Sequence, residues 1–274
     1  MRFPQQLLCW LVLLVLPVFG AEKAYQDGAE YNLVRAIQVQ PEPHRKLELL
    51  DRWRKLYPRS NFRQERFQMS ILAHQTLGRS REMQRTAMEM ADDNPAGLGS
   101  YWVTAVGVTL RESSPAGLRV VEKAAKNLIA HSGTMFARGL RPDAVSEDAW
   151  NRERQRMDTV AHRALGWVAL CRSEWADAET EFRLVLLRDG NDAEAWYWLG
   201  TSILAQQRAR RDISAFYFLA RAVMLNGPGE LPAAERKLAK RNLEQVFAKR
   251  RGSVQGLDAV YERARRGGPI PAER

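Results

Sequence analysis

The chain has 274 residues, 45% of them hydrophobic, enough to fill a large core, and this excludes wholesale disorder. Lys and Arg number 42 against 32 Asp and Glu, a net charge of +10, and 15 basic against 7 acidic residues fall between Thr201 and Arg274. A basic end is compatible with a solvated helix surface, an acidic protein, an anionic envelope surface or nucleic acid, and by itself it says nothing about fold.

At the start of the chain Arg2 precedes an apolar run from Leu7 to Leu16, followed by Pro17-Val18-Phe19-Gly20-Ala21. A positive residue, a short apolar core and small residues at the end form the pattern of a secretory signal peptide, 1–20, with cleavage expected after Gly20. An uncleaved anchor is the alternative. No later stretch is apolar enough to cross a membrane, so the expected location is the periplasm or the medium. Cys9 leaves with the leader and Cys171 remains alone, which excludes an internal disulfide. With no base or orienting group beside it in the sequence, Cys171 is expected to line the core.

From Asp27 onward apolar residues recur three and four apart, in segments of about a dozen residues separated by short turns. Asp27 to Pro58 reads as a first helix pair, with Leu47, Leu50, Trp53 and Leu56 on its second helix. Gln64 to Pro95 is a second pair turning at Leu77-Gly78-Arg79, and Leu98 to His131 a third turning at Ser113-Ser114-Pro115. Ser132 to Val145 contains Gly133, Gly139 and Pro142 and reads as a loop. Ser146 then caps a helix through Trp150, with Glu147 and Asp148 in its first turn.

Periodicity is strongest after Thr159. Leu165-Gly166 is followed by Ala178, Phe182 and Val185, and the next unit repeats Trp196, Leu199 and Gly200, with 34 residues from Gly166 to Gly200. Small residues let two helices approach, and the aromatics fill the space beside them. Gln206 to Arg211 is a longer turn before Ala215, Leu219 and Ala222. After Pro232 a helix carries Leu238, Leu243, Val246 and Phe247 on one side and Arg236, Lys237, Lys240 and Arg241 on the other, suited to closing the open end of a stack. Gly252 to Gly256 turns into a last helix, 257–265.

These units resemble the tetratricopeptide repeat. The whole chain after the leader is similar to a group of exported bacterial repeat proteins, through Leu47-Glu-Leu-Leu-Asp51-Arg-Trp-Arg-Lys-Leu-Tyr57-Pro58, Trp196-Tyr-Trp-Leu-Gly200 and Gly252-Ser-Val-Gln-Gly-Leu-Asp258. The resemblance implies an all-α, right-handed superhelical solenoid of antiparallel helix pairs. Its expected parts are 21–131, degenerate repeats; 132–158, a loop and connecting helix; 159–228, two well-formed units; 229–266, capping helices; and 267–274, a disordered tail. It also implies a groove lined by the first helix of each pair. Gln68, Gln75, Trp102, Val106, Arg163, Trp167, Tyr197 and Thr201 fall at the groove positions. Trp53, Trp150, Trp175 and Trp196 fall at packing positions. For Trp102, Trp167, Tyr197 and Trp198 both roles stay open, since Trp167 also fits beneath the Ser146 helix.

No catalytic chemistry stands out. His44, His74, His131 and His162 lie on separate segments without metal-ligand spacing, and no glycine-rich stretch precedes Lys-Ser or Lys-Thr. The expectation is a non-enzymatic scaffold without metal or cofactor that takes a protein or peptide partner. Alternatives are an envelope-assembly factor on anionic surfaces and, against the expected export, a nucleic-acid binder using Arg208, Arg210, Arg211, Arg236, Lys237, Lys240 and Arg241. Terminal sequencing of the exported protein should return Ala21 as the first residue; recovery of Met1 would favour the anchor.

Overall fold

The computed structural model describes residues 24–94 and 98–267, so the leader and the tail beyond Gly267 lie outside the described residues. Twelve α-helices and no strand occur among them, and consecutive helices pack on one another, as in an α-solenoid. The chain divides into two compact units, one ending at Asp158 and the other beginning at Thr159.

The first unit opens with α1 (Gly28–Val39) and α2 (Pro43–Leu56). The Asp27 side chain caps α1 by accepting from Glu30 N at 2.7 Å, and Pro43 supplies a preset φ at the start of α2. Trp53 is fully buried, and its Nε1 donates to Glu30 Oε1 at 2.9 Å, which ties the two helices together. Helices α3 (Arg63–Thr76) and α4 (Ser80–Asp93) are joined through Gly78, whose φ of +66° suits a residue without Cβ. Met83, Ala87 and Met90 form the buried face of α4.

The third pair is α5 (Gly99–Thr109) and α6 (Pro115–Met135). The Ser114 hydroxyl caps α6 by accepting from Gly117 N at 3.1 Å. The expected loop from Ser132 is corrected here: α6 continues to Met135, and Phe136 N still bonds Ser132 O at 3.0 Å. Gly133 costs helix propensity but does not stop a helix whose ladder is intact. The loop is therefore shorter, with a tight turn at Arg138–Leu140. Trp150 anchors it, donating from Nε1 to Phe136 O at 3.1 Å and lying 4.7 Å from the Phe136 ring centroid. The Ser146 cap forms as the sequence suggests, accepting from Ala149 N at 3.2 Å at the start of α7 (Glu147–Cys171).

The second unit contains the end of α7, then α8 (Trp175–Arg188), α9 (Ala193–Ala205), α10 (Asp212–Met224), α11 (Ala233–Arg251) and α12 (Leu257–Arg266). Helix α10 is its centre. Every residue from Ser214 to Ala220 is buried, because α9, α11 and α12 all pack on it. Phe182, Leu199, Phe216, Phe218 and Leu243 are among the most deeply buried side chains.

Two apolar assignments are corrected. Leu238 is 48% exposed, and the buried stripe of α11 is Ala239, Leu243 and Phe247. That stripe steps by four residues, so a side chain one position earlier is rotated away from it. Cys171, expected in the core, is exposed at the last residue of α7.

Glycines set the distance between paired helices. A Cβ on Gly200 would stand 2.7 Å from Leu219 Cγ and 2.9 Å from Ala215 O, whereas one on Gly133 would meet nothing closer than 3.8 Å. Gly200→Leu should therefore destabilise the protein by about 1–3 kcal/mol or more through overpacking. Gly133→Ala should stabilise it by about 0.5–1 kcal/mol through helix propensity. Urea melts of both variants check the contrast.

Candidate functional site

In the second unit, α7 and α9 carry an aromatic row. The Trp167 and Trp198 rings meet edge to face at 5.5 Å, and Tyr197 meets Trp198 at 5.0 Å. Such tilted contacts suit the ring quadrupoles. All three side chains are half-buried, packed against the core below and reaching the surface above. The Tyr197 hydroxyl accepts from Asn242 Nδ2 on α11 at 2.9 Å, and Trp198 Nε1 donates to Glu194 Oε1 at 3.3 Å. Thr201, one turn on from Tyr197, donates its hydroxyl to Tyr197 O at 2.9 Å. The expected groove residues Trp167, Tyr197 and Thr201 thus belong to one neighbourhood, with Trp198 as the link between the two rings.

Arg163 has a structural task. Its Nη2 pairs with Asp192 Oδ2, while Asp192 Oδ1 accepts from Ala195 N at 3.0 Å as the cap of α9. Glu194 Oε2 lies 3.9 Å from Arg163 Nη1. Burial opposes the guanidinium charge, but Asp192, Glu194 and Asp189 outweigh it and raise the Arg163 pKa; burial likewise pulls the Asp192 carboxyl up against the pull of Arg163. The pair joins α7 to α9 before any ligand arrives.

The remaining groove candidates lie in the first unit. Gln68 and Gln75 are half-buried on α3. Trp102 is 2% exposed and Val106 is equally buried, so both are core residues of α5. Helix α5 is apolar on nearly every side, and a groove position on such a helix is covered.

Trp196, expected to pack between helix pairs, is only half-buried: it stacks on Phe218 at 5.4 Å, and its Nε1 donates to Gly190 O at 2.9 Å. Trp175 is also half-buried against the same core.

The basic candidates divide. Arg208, Arg210, Lys237, Lys240 and Arg241 are exposed. Arg211 is buried, a correction: its Nη1 and Nη2 donate to Glu179 at 2.8 and 2.6 Å. Gln206 Nε2 donates to the same carboxylate at 2.7 Å, and Arg183 Nε from one turn on at 2.9 Å. Arg236 pairs with Glu230 at 2.9 Å and Asn226 at 3.2 Å. Burial raises the Glu179 carboxyl, but Arg211, Gln206 and Arg183 outweigh it and hold the pKa at about 2. Sequence reading missed Glu179, Asp192 and Glu30, because a carboxylate whose partner lies some thirty residues away looks like any surface acid.

The histidines are dispersed. His44 Nδ1 lies 3.3 Å from Arg79 Nη2, His131 Nδ1 lies 2.9 Å from Asn127 O, and His162 Nδ1 lies 2.7 Å from Glu181 Oε2. Among the described residues no group of three or more His, Cys, Asp or Glu side chains is placed to hold a metal ion, and no helix is long and apolar enough to cross a membrane. No protein-family model matches the chain, and no curated protein or solved structure is significantly similar to it.

Arg163→Ala should cost about 3–5 kcal/mol, since it strands a buried carboxylate. Chemical denaturation measures the loss. Glu179, with its folded pKa depressed to about 2, contributes stability that is fully present above the ordinary carboxyl value of 4.5 and lost as pH falls from there toward 2. The stability gap between wild type and Glu179→Gln should therefore close across that window in melts recorded at stepped pH.

Proposed function

We propose that this protein is an exported, non-enzymatic scaffold of the cell envelope or periplasm, built as a right-handed tetratricopeptide-type superhelix, that captures a peptide or protein partner. The observation that carries the reading is the half-buried aromatic row Trp167–Trp198–Tyr197 on the first helices of two consecutive pairs. Tyr and Trp give wide contact at low entropic cost and keep a polar tip for hydrogen bonding, the chemistry that dominates interface hot spots. Arg208 and Arg210 are exposed just past the end of α9, which favours an acidic partner segment. Arg163 is already engaged by Asp192, so the reading rests on the aromatic row rather than on this guanidinium.

Crosslinked pull-down from an envelope fraction, followed by affinity measurement with the purified partner, tests the reading. Tyr197→Ala and Trp167→Ala should each weaken capture about ten-fold, on the order of 1.4 kcal/mol, measured at a temperature where both variants remain folded, since each also loses packing against the core. Unchanged capture in both variants would remove the groove reading. Steep salt dependence of binding to duplex DNA would replace it with the nucleic-acid alternative.

A further inference from the structure

The first unit holds a cavity of about 510 Å³ among α2, α3 and α4, which no part of the groove reading uses. It is large enough for a small organic ligand. From α3 it takes Arg66, Phe67, Ser70 and His74. Arg66, Ser70 and His74 are spaced by four and share one face of the helix. Gln68 and Gln75, the groove candidates of the same helix, lie on the other side by the same geometry.

Four arginines line the cavity, Arg54, Arg66, Arg79 and Arg85, against two carboxylates, Asp51 and Glu89. The carboxylates are already engaged. Arg54 lies 3.2 Å from Asp51 and 3.8 Å from Glu89, and Lys55 is 2.7 Å from Asp51. Arg66 is only 5% exposed. Its Nη1 donates to Tyr57 O at 3.0 Å and its guanidinium sits 5.6 Å from the Trp53 ring centroid, yet its buried Nε has no hydrogen-bond partner. Burial, then the charges of Arg54 and Arg63, lowers the Arg66 pKa. His74 Nδ1 is a second buried atom without a hydrogen-bond partner; burial lowers the pKa of its ring, and Arg79 and Arg85 lower it further against Glu82. Buried polar atoms among like charges are costly, and an anion in the cavity offsets the like charges. Leu47, Leu50 and Phe67 add an apolar wall.

We infer that this cavity binds a small organic oxyanion, a phosphate ester or carboxylate with an apolar body, with Arg79 and Arg85 holding the charged end beside Arg66 and His74.

Calorimetric titration of the full chain at low salt with phenyl phosphate, inorganic phosphate and benzoate tests this. Saturable one-to-one binding of phenyl phosphate, tighter than inorganic phosphate, is expected; tighter binding of benzoate would identify a carboxylate as the source of the charge. Arg85→Gln and Arg79→Gln, both at exposed positions, should each weaken binding about ten-fold while the melting temperature stays unchanged. Trp167→Ala in the second unit should leave it intact, so this site and the groove fail independently. Absence of saturable binding by all three probes up to millimolar concentration, or binding that both arginine variants leave untouched, overturns the inference.

Discussion

The close approach of paired helices at a small residue is the constraint on which the rest depends. On α5 a Cβ at Gly107 would come 2.3 Å from Val121 Cγ2 of α6; on α7 one at Gly166 would come 2.9 Å from Phe182 Cζ of α8; on α9 Gly200 faces Leu219 of α10. In each pair the first helix yields the space and the second fills it with a branched or aromatic side chain. In α3 and α4 the small residues Ala73 and Ala87 are buried instead. Once two helices stand this close, the aromatics have a defined surface to fill, and Trp196 stacks on Phe218 at 5.4 Å because α9 and α10 hold both rings at fixed height.

Buried carboxylates fix the register that apolar packing leaves soft. Glu30 is fully buried; burial raises its pKa, but bonds from Ser60, Gln26 N and Trp53 outweigh it and the net direction is down. Glu179 on α8 holds Gln206 and Arg211 from the turn between α9 and α10, and Asp192 at the start of α9 holds Arg163 of α7. Each acid joins its helix to a segment beyond its immediate pair or seals the pair itself. Replacement by apolar groups would keep helices packed yet permit a one-turn slip, whereas a carboxylate with two or three directed donors tolerates only one alignment.

Much of the helix order was legible because it rests on local spacing. The 34-residue step from Gly166 to Gly200 marks two positions where the structure does bring helices together. Gly107 carried the same signal but lay in a helix apolar all round, where no stripe points to one contact. What was not legible depends on contacts distant in sequence. Arg163 read as a groove contact and Arg211 as surface charge because Asp192 and Glu179 lie 29 and 32 residues away. Leu238 read as core because it is the larger neighbour of Ala239, and only the packing of α11 on α10 reveals that the alanine faces inward. Cys171 read as core because no base or orienting group accompanies it in the sequence, whereas it ends α7 on an exposed face that only the packing of the helix reveals.

Closure explains why the two units offer different chemistry. In the second, α10 is covered by α9, α11 and α12, which buries most of its apolar surface, while the aromatic row on α7 and α9 stays half-buried. In the first, α2, α3 and α4 leave a cavity that their own side chains do not fill, and arginine lines it. An apolar cavity of that size would tend to collapse or stay dry, but like-charged guanidinium groups resist both collapse and dehydration. Arg66 cannot withdraw to solvent, because Tyr57 O and the Trp53 ring hold it in place. A charge fixed at depth without a full set of partners is an organising centre for an incoming anion rather than a packing accident, since a methionine of similar reach would fill the same space at lower cost.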